Sequence, residues 1–199
     1  EIAKTPYGHF TILKAISYCT GASEQKKLCR SLKGHFVALG TNVIGARTCE
    51  SLLVIYPSKL TRSLRAEFYG KFTILVDEPP RNLKGLLGDE KCNGKQGPIL
   101  DHMQGLVQKF IDKGLLEFRY VHELIYEYCL ALVDAVSASV ASRRANEASG
   151  GGDSAGDKKS CEKRLLDLAT ILGDALPKLI ATKNGARTAC MLATFGGAK

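Results

Sequence analysis

Apolar residues recur along this chain with the period of an α-helix. Ile99, Leu100, Met103, Leu106, Val107, Phe110 and Ile111 form an i, i+3/i+4, i+7 stripe. Leu124, Ile125, Tyr128, Cys129, Leu132, Val133 and Val136 repeat it. A wider stripe passes through Leu165, Leu168, Ala169, Leu172, Leu176, Leu179 and Ile180; Pro177 inside it must kink that helix or open a new one. Short turns such as Thr20-Gly21, Gly40-Thr41-Asn42 and Lys113-Gly114 separate the stripes, and connections this short make neighbouring helices antiparallel. The β-branched run Phe72-Thr73-Ile74-Leu75-Val76 has strand propensity of its own. We assign it to helix because its sequence repeats a helical one.

Two stretches interrupt the helical pattern. Residues 77–98 combine Pro79-Pro80 with repeated glycines and scattered charge, which predicts an irregular insertion, a loop or a short helical turn. Residues 142–160 are Gly/Ser/Ala-rich with no apolar period, and such a segment buries too little surface to offset its ordering entropy, so it reads as a low-complexity linker. The expected organisation is therefore basic repeats over 1–76, the insertion 77–98, divergent helical repeats over 99–141, the linker 142–160, and a further, truncated repeat over 161–199.

Self-comparison carries more than periodicity. Tyr7-Gly8-His9-Phe10-Thr11-Ile12-Leu13 recurs as Tyr69-Gly70-Lys71-Phe72-Thr73-Ile74-Leu75, six identities in seven positions. Gly45-Ala46-Arg47-Thr48 recurs as Gly185-Ala186-Arg187-Thr188. All four align on one glycine, with Thr three residues later, at spacings of 37, 25 and 115. A weaker copy, Tyr120-Val121-His122-Glu123-Leu124-Ile125, falls in the long gap. The first spacing fits a two- or three-helix repeat and the second a shortened one. An all-α α-solenoid follows, because each unit has an apolar face that only its neighbours can cover.

Charge narrows the choice of partner. The chain carries 28 Lys/Arg against 20 Asp/Glu, a net of +8. Residues 1–75 hold 11 of the bases and 4 of the acids, a net of +7, so the anion-binding face is expected there. Lys26, Lys27, Arg30 and Lys33 stand at helical spacing, and Lys59, Arg62 and Arg65 form an i, i+3 ladder. Seven cysteines without CxxC spacing read as small buried side chains in a reducing compartment. His9, His35, His102 and His122 do not assemble with Cys or carboxylates at ligand spacing, and no phosphate loop or catalytic triad is present. Neither an enzyme nor a cofactor or metal protein is expected. No apolar run approaches the 18 residues of a membrane span. The abrupt ends are those expected of a piece of a longer array.

YGHFTILK, IGARTCESL, FYGKFTIL and NGARTACML resemble the helix-opening pattern of Pumilio-type (PUF) repeats. LKGHFVALGTNVIGARTCESLLVIYPSK and KGLLEFRYVHELIYEYC are similar to the nucleolar Puf-A (penguin) branch with its CPL domain. The resemblance implies a non-catalytic RNA binder in ribosome biogenesis, with pre-rRNA and pre-60S particle proteins as partners, no membrane, no small-molecule substrate, and nucleolar or nuclear localisation. It also implies, motif by motif, residue triplets facing one nucleotide: His9, Phe10 and Leu13; Ala46, Arg47 and Glu50; Lys71, Phe72 and Leu75; Ala186, Arg187 and Cys190. The middle residues can stack on a base, but Leu, Ala and Cys at the flanking positions have little to offer a Watson–Crick edge. A base-by-base code is therefore absent, and backbone or shape recognition of single-stranded, structured or double-stranded RNA, mRNA among it, is what remains.

The candidate interface comprises His9, Phe10, Lys14, Lys26, Lys27, Arg30, Lys33, Arg47, Glu50, Arg62, Arg65, Lys71, Phe72 and Arg187. Glu50 lies one turn from Arg47 and is expected to pair with it. The rival reading is a HEAT- or armadillo-like scaffold that binds acidic protein segments without touching RNA.

Overall fold

The computed structural model describes residues 1–146 and 155–196, with side chains for 1–138 and 160–194. Among these residues there is no strand, and the fold is all-α. The helices are α1 Gly8–Tyr18, α2 Ala22–Leu32, α3 Phe36–Gly40, α4 Gly45–Ile55, α5 Ser58–Ala66, α6 Leu83–Leu87, α7 Gln96–Asp112, α8 Arg119–Asn146, α9 Ala155–Leu172, α10 Leu176–Leu179 and α11 Lys183–Gly196. They fall into two compact units, Glu1–Val121 and His122–Lys199.

The first unit opens with two copies of one three-element repeat. Its corresponding members stack like on like: α1 on α4, α2 on α5, and α3 on the 3-10 segment Glu67–Ile74. This nearest-neighbour stacking is the solenoid arrangement, in which each repeat covers the apolar face of the next. The joints follow from local chemistry. Pro57 forces the preceding residue out of the helical region, and Tyr56 is extended at φ −89°, ψ 147°, which ends α4 and starts α5. The core centres on Phe68, fully buried, whose ring lies 5.6 Å from Phe36, 6.1 Å from Phe110 and 5.7 Å from Tyr120.

The five-residue α3 is too short to stand alone. It is held from outside at both ends. Glu67 accepts from the N–H groups of Gly34 (2.7 Å) and Phe36 (3.1 Å) at its start. At its finish the Tyr120 hydroxyl donates to the Gly40 carbonyl (2.6 Å), and Lys113 Nζ donates to that of Thr41 (2.7 Å).

The three apolar stripes are buried much as their spacing requires. Ile99, Met103, Val107 and Phe110 are core residues of α7, as are Leu124, Ile125, Cys129 and Leu132 of α8 and Leu165, Leu168 and Leu172 of α9. Pro177 opens a helix, sitting in the first turn of α10 after a 3-10 turn over Gly173–Ala175.

Two sequence expectations, for residues 72–76 and 142–160, need correction. Residues 72–76 are not α-helical: the chain forms a kinked 3-10 segment ending at Ile74 and then bends. The 77–98 stretch holds short helical turns as its pattern allowed, α6 and a 3-10 turn over Glu90–Cys92, and with Leu83, Leu86 and Cys92 fully buried it also contributes to the core. The expected linker 142–160 is helical at both edges, because α8 runs to Asn146 and α9 begins at Ala155. Its remainder, 147–154, lies outside the described residues.

Candidate nucleic-acid interface

Three of the four aligned glycines stand in the first turn of a helix and are held there in the same way. The Gly N–H is capped by the side chain three residues earlier: Thr5 Oγ1 for Gly8 (3.0 Å), Asn42 Oδ1 for Gly45 (2.9 Å) and Thr182 Oγ1 for Gly185 (3.1 Å). The backbone of that capping residue donates to the carbonyl three residues before it: Thr5 to Ile2, Asn42 to Leu39, Thr182 to Leu179. It accepts in turn from the residue after the glycine, namely His9, Ala46 and Ala186. Only glycine fits this close approach. A Cβ would meet the Ile2 oxygen at 2.7 Å at position 8 and the Leu39 oxygen at 2.7 Å at position 45, and would clash with Leu179 at position 185.

Gly70 does none of this. It has φ +78°, ψ −161°, and packs directly against the His102 imidazole, whose Nε2 lies 3.0 Å from the Phe68 carbonyl oxygen. The residue three before it is Glu67, whose carboxylate is committed to α3. The copy most similar in sequence to the first thus occupies the third slot of its repeat, not the motif-helix slot. Lys71 and Phe72 are correspondingly off the motif face. Phe72 is half-buried, and Lys71 Nζ sits 5.9 Å from its ring centroid.

On the adjacent motif helices α1 and α4 the middle residues are open to solvent. Phe10 is 55% exposed, and Arg47 is exposed beside it in repeat register. His9 is not available: it is buried, with Nδ1 3.1 Å from the Thr5 carbonyl oxygen. Ala46 is fully buried. Glu50 does not hold Arg47; its Oε2 accepts from the Tyr120 N–H (3.1 Å) and so caps the start of α8. In the second unit Arg187 is exposed, its guanidinium 6.0 Å over the Tyr126 ring, a cation–π contact.

Sequence reading missed two exposed aromatics. Tyr7 is 87% and Tyr18 76% exposed, and with Phe10 and Lys14 they form a stripe at spacings 3, 4 and 4 along α1. Lys14 Nζ stands 5.9 Å from the Tyr18 ring centroid. The helical spacing from Phe10 was the available signal.

The basic ladders lie in the other layer. Lys26, Lys27, Arg30 and Lys33 of the α2 region are exposed, and α2 packs on α5, which carries exposed Lys59 and half-buried Arg62 and Arg65. Arg62 Nη1 is 3.8 Å from Glu78. The structure therefore separates the candidate residues into an aromatic stripe on α1/α4 and a basic layer on α2/α5.

Thiols and phenols in the core are held neutral. Burial pushes the Cys129 thiol up to about 12, and burial with Glu67 and Glu50 nearby raises Cys49 well above its ordinary value. The Tyr120 phenol, desolvated between Gly40 and the aromatic core, is likewise raised. Such thiols hold little thiolate at neutral pH and make poor nucleophiles. No group of three or more His, Cys, Asp or Glu among the described residues is placed to hold a metal, and no helix among them is long and apolar enough to cross a membrane.

Two helical units stacked like on like, each led by a motif helix with a capped glycine, define an all-α helical-repeat protein. Along its whole length the chain is similar to Pumilio homolog 24 of Arabidopsis thaliana, with 24% identity over 205 residues. It spans 27% of that protein's length. No family model matches it. That similarity fits an array of helical repeats.

Proposed function

We propose that this chain binds RNA without catalysing a reaction on it, holding the sugar–phosphate backbone and largely ignoring base identity. The observation that carries this reading is the pairing of two basic ladders, Lys26/Lys27/Arg30 and Lys59/Arg62/Arg65, on helices that pack side by side. A row of cations in one layer suits a polyanion, and phosphate contacts position a nucleic acid without reading it. The motif helices support the same view. Their exposed residues, Phe10, Arg47, Tyr7 and Tyr18, are sequence-tolerant stackers, whereas of the flanking edge-reading positions on α1 and α4 His9 and Ala46 are buried, Glu50 is committed to α8, and Leu13 has no hydrogen-bonding group to offer.

The Puf-A-like sequence features extend the proposal to pre-rRNA in the nucleolus, with pre-60S particle proteins alongside. The test of RNA binding is a titration with single-stranded oligomers of differing sequence at several salt concentrations. If about four to six basic side chains neutralise phosphates, log affinity falls against log salt with a slope of about −3 to −4 for single strands. Changing the oligomer sequence leaves affinity nearly constant. A flat salt response with strong discrimination among oligomers would overturn the reading, and binding of acidic protein segments with no RNA affinity would install the scaffold reading instead. RNA crosslinking in cells tests the pre-rRNA assignment.

A further inference from the structure

The exposed rings of the first repeat are laid out along α1, not across the repeats. Tyr7, Phe10, Lys14 and Tyr18 return to one helix face, and all four are open to solvent. The matching positions of α4, 37 residues on, are Ile44, Arg47, Ser51 and Ile55, with no ring among them. A strand crossing from α1 to α4 meets at most one ring at each level, whereas a strand lying along α1 meets three rings and an ammonium. Phe10 is also backed. The His9 ring lies 4.0 Å from it at a tilt of 36°, and His9 is itself buried, with Nδ1 3.1 Å from the Thr5 carbonyl oxygen.

From Phe10 to Tyr18 the helix rises about 12 Å, which sets the two rings far enough apart to take different bases. Lys14 stands midway between them, its Nζ 5.9 Å from the Tyr18 ring centroid, where it can meet an intervening phosphate. Residues 5–18 contain no carboxylate. Glu50 of α4 keeps its charge but turns to the start of α8, where it accepts from the Tyr120 N–H. Stacking on such rings requires bases with a free face, and a duplex keeps its base faces against one another. We infer that α1 is a single-strand site: unpaired RNA nucleotides lie along the helix axis, with bases on Phe10 and Tyr18, Tyr7 beyond them, and a phosphate at Lys14. This rests on the RNA reading above and adds to it a preference for single strands and a direction for the strand. The α2/α5 layer holds phosphates whether the strand is paired or not; the α1 stripe tells the two apart.

The experiment uses the full chain and fluorescence anisotropy with three labelled probes. One is a short single-stranded RNA oligomer, the second a blunt duplex containing that strand, the third an abasic strand with the same number of phosphates. The single strand should bind about tenfold more tightly than the abasic strand, a difference of roughly 1.4 kcal/mol. Tyr18→Ala should weaken the single strand about fivefold and leave the duplex and the abasic strand unchanged. Tyr18→Phe, which keeps the ring, should bind as the parent does. Tyr18 is exposed, so both variants keep the fold, which a melting curve checks. If neither single strand nor duplex binds, the RNA reading fails and this inference with it. If RNA binds but Tyr18→Ala holds the single strand as the parent does, or weakens the duplex equally, or if the abasic strand binds as tightly as the complete one, the inference alone fails. It also fails if Arg47→Ala weakens the single strand and Tyr18→Ala does not, because the strand then crosses the repeats.

Discussion

Tyr7–Leu13 and Tyr69–Leu75 differ at one position in seven, yet the chain folds them into different elements. The first opens an α-helix with its tyrosine 87% exposed; the second is a kinked 3-10 segment with its tyrosine fully buried. The difference lies upstream of the repeat itself. Thr5 stands three residues before Gly8 and caps its N–H, whereas Glu67 stands three residues before Gly70 and reaches across to α3. Gly45 and Gly185 share less sequence with the first copy but have Asn42 and Thr182 in the capping position, and they fold as it does. A motif of this kind is defined by its cap and its glycine, more than by the apolar residues that follow.

The comparison can be broken most severely at the glycine. Gly45→Ala places a methyl 2.7 Å from the Leu39 carbonyl oxygen and 2.6 Å from Leu39 Cδ1, against rigid backbone. Overpacking of this type costs about 1–3 kcal/mol, and a urea melt should show a loss near the top of that range. At the level of RNA affinity, Phe10→Ala should cost about 1–3 kcal/mol if the exposed ring stacks on a base. Phe72→Ala, its match in sequence but off the motif face, should leave affinity unchanged in the same anisotropy assay. Equal losses at both positions would return the second copy to the motif face. The caps sharpen the contrast at the smallest scale. Asn42→Ala should destabilise by about 1 kcal/mol through loss of the α4 cap. Glu67→Ala should do so by a similar amount through loss of the α3 cap, and chemical denaturation reads both.

Much of the fold was legible. The stripes over Ile99–Phe110, Leu124–Val136 and Leu165–Leu172 located α7, α8 and α9, since burial on one side imposes the helical period directly on the residue types. The 37-residue spacing of Gly8 and Gly45 is the true repeat length. The failures arose where long-range contacts decide. Nothing local says that Glu67 will bond Gly34 and Phe36, or that Glu50 will take the Tyr120 N–H instead of Arg47. His9 looked like a reader because its burial depends on packing that a single motif does not encode. The capping residue was in the sequence all along, as Thr or Asn at three of the four glycines and Glu at the fourth. The exposed Tyr7 and Tyr18 could equally have been found by continuing the spacing from Phe10.

The two ends of α3 have a consequence for biosynthesis. Its start waits for a side chain about thirty residues downstream, and its finish for Lys113 and Tyr120, which are 72 and 80 residues beyond their acceptors. While the chain is emerging from the ribosome, the first repeat can form α1 and α2 but cannot secure its third member. Phe36, fully buried in the finished molecule, stays uncovered until Phe68 has arrived. The first repeat is therefore translated well before it is complete. A nascent chain halted before Tyr120 should remain open to proteolysis around Gly34–Thr41, long after those residues have left the exit tunnel.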